Sequence, residues 1–299
     1  MHKNNNWDYQ IQRALSHSAN RRIIECLCDE NLSFTDLLKK VGDNANHGKF
    51  GYHLRTLSEF VELEPATKKY RLTDRGKLLA AVIRDFRFTT ATEKRASRYA
   101  ERLTIGDHAF ALYDNEYFKR EISFPFLKAG LARGEAAVYI VSEDKLDSEI
   151  RELQKYGINI DSLPKEAFTI MSAYEWYLRK GRAKAKTIVT NWQTLVHEKK
   201  KAGFAGVHAA GEVAAFISNG KSEELLRYDE SLGRQLASDL CALCLYDKKI
   251  LEERYITRVF HCHGHMISKD LLGETEVRGE GSQTQDCSGS TTYCAHAPF

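Results

Sequence analysis

The sequence predicts a multidomain protein: a mostly α N-terminal unit with a β-hairpin, then a C-terminal α/β unit of three layers. Three observations predict it. The chain has 299 residues, enough for about two domains. Near Gly106 the apolar pattern changes from short helical stripes to strands alternating with helices. The charge changes at the same place. Residues 1–104 carry 19 Lys and Arg against 13 Asp and Glu, a net +6, and the remainder carries 25 against 28, a net −3. A basic front unit on a mildly acidic rear one points to a polyanionic partner for the front.

Composition excludes several classes. At 42% hydrophobic and 28% charged residues, the chain has enough apolar content for a packed core. No run of about 18 apolar residues crosses a membrane. Met1 to Asn6 is polar and lacks the apolar stretch of a secretory signal. Seven cysteines, at 26, 28, 241, 244, 262, 287 and 294, are odd in number and irregularly spaced. That pattern fits a reducing cytoplasm rather than a disulfide framework.

The front unit is expected over residues 1–85. Ile11, Leu15, Ile23, Ile24 and Leu27 give helical spacing, broken near Ser16 to Asn20. Asn31 to Ser33 reads as a loop, and Ser33 caps a helix Phe34 to Val41. Gly42 ends that helix, and Asp43 to Asn46 forms a polar turn. A third helix is expected over His47 to Phe60, with Phe50, Leu54 and Leu57 inward. Two short helices across a tight turn make a helix-turn-helix. Its second helix is the one that enters a major groove, with Lys49, Tyr52, His53 and Arg55 outward. Val61 to Glu64 and Tyr70 to Leu72 form a β-hairpin, a wing with Lys68, Lys69 and Arg71 near its tip. Thr73 then caps a helix that opens Asp74-Arg75-Gly76-Lys77. Cys26 and Cys28, two residues apart on a helix, share no face and read as core or incidental.

Residues 86–104 are charged and free of Pro and Gly, so they read as a helical connector. Ile83, Phe86, Tyr99 and Leu103 would form its apolar stripe, a surface on which two subunits pair or else part of a solvated linker.

In the rear unit, residues 105–270, strands are expected at 109–113, 136–141, 168–171, 206–210, 240–246 and 266–267. The helices between them imply βαβ units and a mostly parallel sheet covered on both faces. The segment 271–299 is rich in Gly, Ser, Thr and Gln and reads as a disordered tail.

Candidate site residues follow from the strand ends. His108 enters the first strand as a hydrogen-bonding or metal-ligating imidazole, or as a structural histidine. Cys244 and Tyr246, two apart on a strand, face the same side. Glu212 follows the fourth strand, placed to anchor a polar ligand or to pair with His108. An alternative metal set is Cys241, Cys244, His261 and His263, although positions three apart on a strand point to opposite faces.

Two resemblances extend this reading. The wing followed by Leu72-Thr73-Asp74-Arg75-Gly76-Lys77, within Phe34 to Val82, resembles ArsR-like winged helix-turn-helix regulators. That resemblance implies double-stranded DNA as partner. The phrase Phe126 to Glu135, with Val138 to Val141 and Glu143, resembles the RecA/KaiC-like ATPase core. Those ATPases cradle phosphates on a glycine-rich P-loop. Here Tyr113 to Arg120 has no glycine and carries Asp114 and Glu116, so an intact P-loop is lacking and no ATP hydrolysis is expected. Gly106-Asp107-His108, Gly211-Glu212, Leu243 to Asp247 and His263 complete a resemblance to the MEDS (methanogen/methylotroph, DcmR-type sensory) domain. It implies a P-loop-degenerate sensory domain that takes a small molecule, a hydrocarbon derivative or one-carbon compound. Its pocket would use His108, Tyr113, Glu143, Glu212, Cys244, Tyr246 and His263.

The expectation is a cytoplasmic, homodimeric transcriptional regulator, not an enzyme and without a cofactor. The alternatives are a signalling adaptor whose winged helix binds protein, or a metal- or redox-responsive regulator.

Overall fold

A computed structural model describes residues 7–41, 47–90, 92–178 and 183–275. Gly42 and the turn Asp43 to Asn46 lie outside the described residues, as do Met1 to Asn6 and the tail from 276, with Cys287 and Cys294.

The front unit opens with α1 (Trp7–Ser16) and α2 (Ser18–Asp29), separated at His17. His17 caps α2 by accepting from the Ala19 N–H, which is the expected break. Leu32–Ser33 is not a loop but a short strand, β1. It is followed by α3 (Phe34–Val41), α4 (His47–Thr56), β2 (Val61–Glu64), β3 (Lys69–Leu72) and α5 (Asp74–Asp85). The hairpin β2–β3 takes β1 as a third, antiparallel strand on β3, in the order β1-β3-β2. The caps stand where the residue types place them. Ser33 Oγ accepts from Asp36 N at 3.2 Å, and Thr73 Oγ1 from Gly76 N at 3.1 Å. Helix α4 stops at Thr56, short of the expected Phe60, and Leu57 and Phe60 complete the core from the turn.

The connector departs from expectation. Phe86–Thr90 is a strand, β4, and only Glu93–Arg102 is helix, α6. The alternation Phe-Arg-Phe-Thr-Thr carries that strand in the sequence, because aromatic and β-branched residues suit a pleated surface. Strand β4 joins the rear sheet, so the front unit passes directly into it.

The rear unit continues with β5 (His108–Tyr113), α7 (Glu116–Ala132), β6 (Ala136–Val141), α8 (Leu146–Tyr156), β7 (Phe168–Ser172), α9 (Ala173–Tyr177) and α10 (Ala185–Lys201). Then come β8 (Val207–Glu212), α11 (Ala214–Ser218), α12 (Ser222–Leu232), β9 (Leu240–Asp247), α13 (Glu253–Cys262), β10 (His265–Ser268) and β11 (Leu271–Thr275). The start of the expected tail is thus strand β11. The sheet order is β4-β11-β10-β5-β9-β8-β6-β7. From β10 to β7 every pairing is parallel, and β11 is antiparallel to both of its neighbours. This mostly parallel arrangement is consistent with a RecA-like fold.

Strand pleating divides the core in two. Ala109, Ala111, Cys241, Leu243 and Leu245 face a cluster with Phe118, Ile122 and Leu153 from α7 and α8. Phe110, Leu112, Ala242, Cys244 and Tyr246 face the opposite cluster, with Tyr228 and Val259. That second cluster is continuous with the core of the front unit, including Ile23, Leu37, Phe50 and Phe86. The expected subunit-pairing stripe is spent inside the chain. Ile83, Phe86 and Leu103 are buried, and Tyr99 donates to the Gly273 carbonyl at 3.0 Å.

The glycine of Leu-Thr-Asp-Arg-Gly-Lys has a packing reason. A Cβ at Gly76 would stand 2.0 Å from the Phe60 carbonyl oxygen. Glycine to alanine inside a helix ordinarily gains up to about 1 kcal/mol. Here the clash reverses the sign, and Gly76→Ala is expected to cost about 1–3 kcal/mol. Urea unfolding of the full chain measures this, with exposed Leu78→Ala as reference. A stabilised Gly76→Ala protein would show that α5 does not pack so closely on the Phe60 turn.

Candidate functional site

Among the described residues of the rear unit, two of the buried polar clusters bear on a site, one on each face of the sheet. The first is built by β5, β9, α12 and the end of α13. The parallel register sets Phe110 beside Cys244, with His108 two residues back along β5 on the same face. Cys244 and Tyr246 alternate with Leu243 and Leu245, so both point toward α12, as their spacing requires. Helix α12 buries Ser222, Leu225, Leu226 and Asp229, an i, i+3, i+4, i+7 stripe. A carboxylate therefore lies on the apolar face of the helix. His263 follows the last turn of α13 and is fully buried.

These side chains converge. One donor atom from each of His108, Asp229, Cys244 and His263 lies within 4.8 Å of all the others. Cys244 Sγ is 3.6 Å from His108 Nε2 and 3.8 Å from Asp229 Oδ1. His263 Nε2 is 3.9 Å from Asp229 Oδ1, and among the described residues it has no hydrogen-bond partner. The outer atoms are all engaged. His108 Nδ1 lies 2.6 Å from the Gly233 carbonyl, and His263 Nδ1 lies 2.7 Å from the Val259 carbonyl. A nitrogen facing a carbonyl must carry the proton, so each Nε2 presents its lone pair to the cluster. The Tyr246 hydroxyl donates to Asp229 Oδ2.

Burial governs the charges here. It lowers His108 to about 4, against the pull of the Gly233 and Cys262 carbonyls. It likewise lowers His263 well below the usual imidazole value, with His108 adding to the effect. It raises Asp229 to about 7, even though Tyr246 and Cys244 donate to it, and holds the Cys244 thiol well above its ordinary value. The imidazoles and the thiol are therefore neutral at pH 7, and Asp229 stands near its midpoint.

The second cluster lies at the carboxyl ends of β5, β6 and β8. Asn115 caps α7 by accepting from Phe118 N at 2.9 Å. Lys119, fully buried one turn later, lies 2.5 Å from Glu116 Oε2, 2.5 Å from Glu212 Oε1 and 3.5 Å from Glu149 Oε1. Ser142 donates to Glu212 at 2.8 Å, and Arg120 binds Glu149 at 2.8 Å. Burial opposes the Lys119 charge, but the Glu212 and Glu149 carboxylates outweigh it and raise its pKa. Tyr113 is buried beside this group, with Lys119 Nζ 6.0 Å from its ring centre.

The expected pocket residues thus divide. His108, Cys244, Tyr246 and His263 come together. Tyr113 and Glu212 belong to the lysine cluster, where Glu212 pairs with Lys119 and not with His108. Glu143 is exposed at the start of a short 3₁₀ turn and joins neither. The alternative metal set also divides. Cys241 points to the other face, and the half-buried His261 turns its Nδ1 to the Thr257 carbonyl, 2.7 Å away. Asp229, Lys119 and Glu149 were missed as site residues. Their common signal is a charge at a buried position of an amphipathic helix, as with Glu149 four residues before Leu153.

In the front unit, Lys49, Tyr52 and Arg55 are exposed on α4. His53 corrects the expected outward set. It is 8% exposed, and its Nδ1 lies 2.8 Å from Asn20 Oδ1 of α2. It therefore fastens α4 to α2 instead of facing outward. On the hairpin, Lys68 and Lys69 are exposed, while Arg71 pairs across the strands with Glu62 at 2.9 Å.

Replacing Lys119 by Met would strand the buried Glu212 carboxylate without its cation, while Glu149 would keep Arg120. Unfolding in urea is expected to show a loss of about 3–5 kcal/mol. A change below about 1 kcal/mol would mean that Lys119 is not the internal counter-ion of Glu212 and Glu149.

Residues 10–83 match a family described only as a domain of unknown function, DUF7347. No curated protein matches the chain. Among solved structures, the chain is similar to the flagellar accessory protein FlaH from Methanocaldococcus jannaschii. Identity there is 12% and the TM-score 0.30, over 58% of this chain and 79% of that one. It is also similar to a structure described as PigF with SAH, at 8% identity and TM-score 0.24, over 88% of this chain and 83% of that one. Residues 107–264, which contain both buried clusters, match the methanogen/methylotroph, DcmR sensory domain. That match spans more than half of the sequence, and the chain belongs to the MEDS sensory-domain family.

Proposed function

We propose that this chain is a cytoplasmic, DNA-binding transcriptional regulator whose MEDS domain senses a small molecule. In this reading the front unit is a winged helix-turn-helix of the ArsR-like kind, and the protein is not an enzyme. The observation that carries the reading is the outer face of α4. There Lys49, Tyr52 and Arg55 stand exposed, while Phe50, His53 and Leu54 are buried. A short helix with basic and aromatic side chains outward has the chemistry to grip phosphates and base edges. The hairpin supports it by exposing Lys68 in its turn and Lys69 at the start of β3. Two copies would place two such helices on the half-sites of an operator. The pairing surface is not the Ile83–Leu103 stripe, since that stripe is internal.

Aromatic contacts between the two units support a route by which ligand binding would reach the front unit. His263 of the buried cluster contacts Phe110 at 5.1 Å between ring centres, Phe110 contacts Phe260 at 5.1 Å, and Phe260 contacts Phe86 at 5.7 Å. Phe86 ends α5 and begins β4, so it belongs to both units. A ligand that favours one placement of α13 over another would bias the front unit through these rings. It can do so only by its differential affinity for the two placements. No helix among the described residues is long and apolar enough to cross a membrane.

Fluorescence anisotropy on duplex DNA tests the reading. Affinity is expected to fall steeply with salt, as counterion release requires. Lys49→Ala and Arg55→Ala should each weaken binding and reduce the salt slope by about one. Affinity that is unchanged in both variants and insensitive to salt would refute DNA binding by this face.

A further inference from the structure

We propose that His108, Asp229, Cys244 and His263 form a closed, four-ligand binding site for a divalent d-block cation of the zinc class. This stands on the cluster alone and is independent of the DNA-binding reading.

The donor set selects the class of ion. Two imidazoles, one thiol sulfur and one carboxylate are the ligands of zinc and its first-row neighbours, whereas calcium and magnesium take oxygen ligands. The spacing agrees. Ligands about 2.0–2.3 Å from a tetrahedral ion lie about 3.3–3.6 Å from one another. Three of the six separations, 3.6, 3.8 and 3.9 Å, need to contract by only a few tenths of an ångström, and the other three, all within 4.8 Å, by up to about 1.5 Å.

The outer contacts make the same point independently. Metal-bound histidines donate their far nitrogen to a carbonyl or carboxylate, which fixes the tautomer and aims the other nitrogen at the ion. Both histidines here do so, to Gly233 and Val259, and the Tyr246 hydroxyl holds Asp229 by its other oxygen. A hydrogen-bonded network without an ion would leave the His263 Nε2 lone pair buried and unanswered. Such a group is costly. A cation satisfies it and draws the thiol and carboxyl into their anionic forms.

With four protein ligands the site has no open position, so its role is structural or sensory rather than catalytic. It ties the start of β5 and the middle of β9 to α12 and to the residue after α13.

The test uses the full chain, stripped with a chelator and titrated with Co²⁺ alone, then with Zn²⁺. One equivalent of Co²⁺ should give a thiolate-to-metal charge-transfer band and the intense visible bands of four-coordinate cobalt. One equivalent of Zn²⁺ should abolish both and raise the thermal midpoint, because the ion binds the folded state. Cys244→Ser should remove the charge-transfer band, and Cys241→Ser, on the other face of the sheet, should retain it. Tyr246→Phe should weaken binding about 10–100-fold. His263→Gln, checked for folding by circular dichroism, reports on the same site if Cys244→Ser folds poorly, and should bind cobalt far more weakly. A wild-type chain that takes up no stoichiometric cobalt would overturn the proposal. So would a charge-transfer band that survives Cys244→Ser, or unaltered cobalt affinity in His263→Gln.

Discussion

A carboxylate on the apolar face of a helix must be answered by whatever that face packs against, and in this protein that demand organises the sensory domain. Asp229 stands on the same stripe of α12 as Leu225 and Leu226 and is fully buried. Removed from bulk solvent, it takes hydrogen bonds from the sheet. The parallel register of β5 and β9 does this by bringing His108, Cys244 and Tyr246 beneath it on alternate residues. The end of α13 closes the last side with His263. Shifting β9 by one residue would turn Cys244 and Tyr246 to the opposite face, shifting β5 would turn His108, and either would take partners from the carboxylate. The polar cluster therefore specifies the register of β5 on β9.

The same logic operates once more, at the strand ends, with opposite charge. Lys119 lies on the inward stripe of α7, and Glu212 and Glu149 answer it. Here the chain's own carboxylates occupy the lysine. The first cluster lies instead in the interior between the sheet and α12 and α13. That interior is also the part in aromatic contact with the front unit.

Much of the fold was legible because local signals and packing agree. The alternation of strands and helices from His108 to Ser268 is written in apolar periodicity, and Ser33 and Thr73 mark helix starts through side chains that accept from the backbone. The opposite faces of Cys241 and Cys244 followed from pleating alone. What failed did so for physical reasons. Phe86–Thr90 was read as helix because it lacks Gly and Pro, although its alternating residues suit a strand, and its partner β11 lies far away in sequence. His53 looked outward because a histidine is polar, but Asn20 of α2 supplies it with a buried partner. In the site, His108, Cys244 and Tyr246 were read from strand positions and His263 from the family resemblance, yet their assembly depends on Asp229. A charged residue on a buried stripe is the signal that would have found it, and Lys119 and Glu149 with it.

The central claim is that these four side chains act as one closed set around a single ion. Zinc K-edge X-ray absorption of the zinc-loaded full chain tests this most directly. The account predicts one sulfur at about 2.3 Å and three nitrogen or oxygen neighbours at about 2.0–2.1 Å. A sulfur-free, six-coordinate oxygen shell would contradict it.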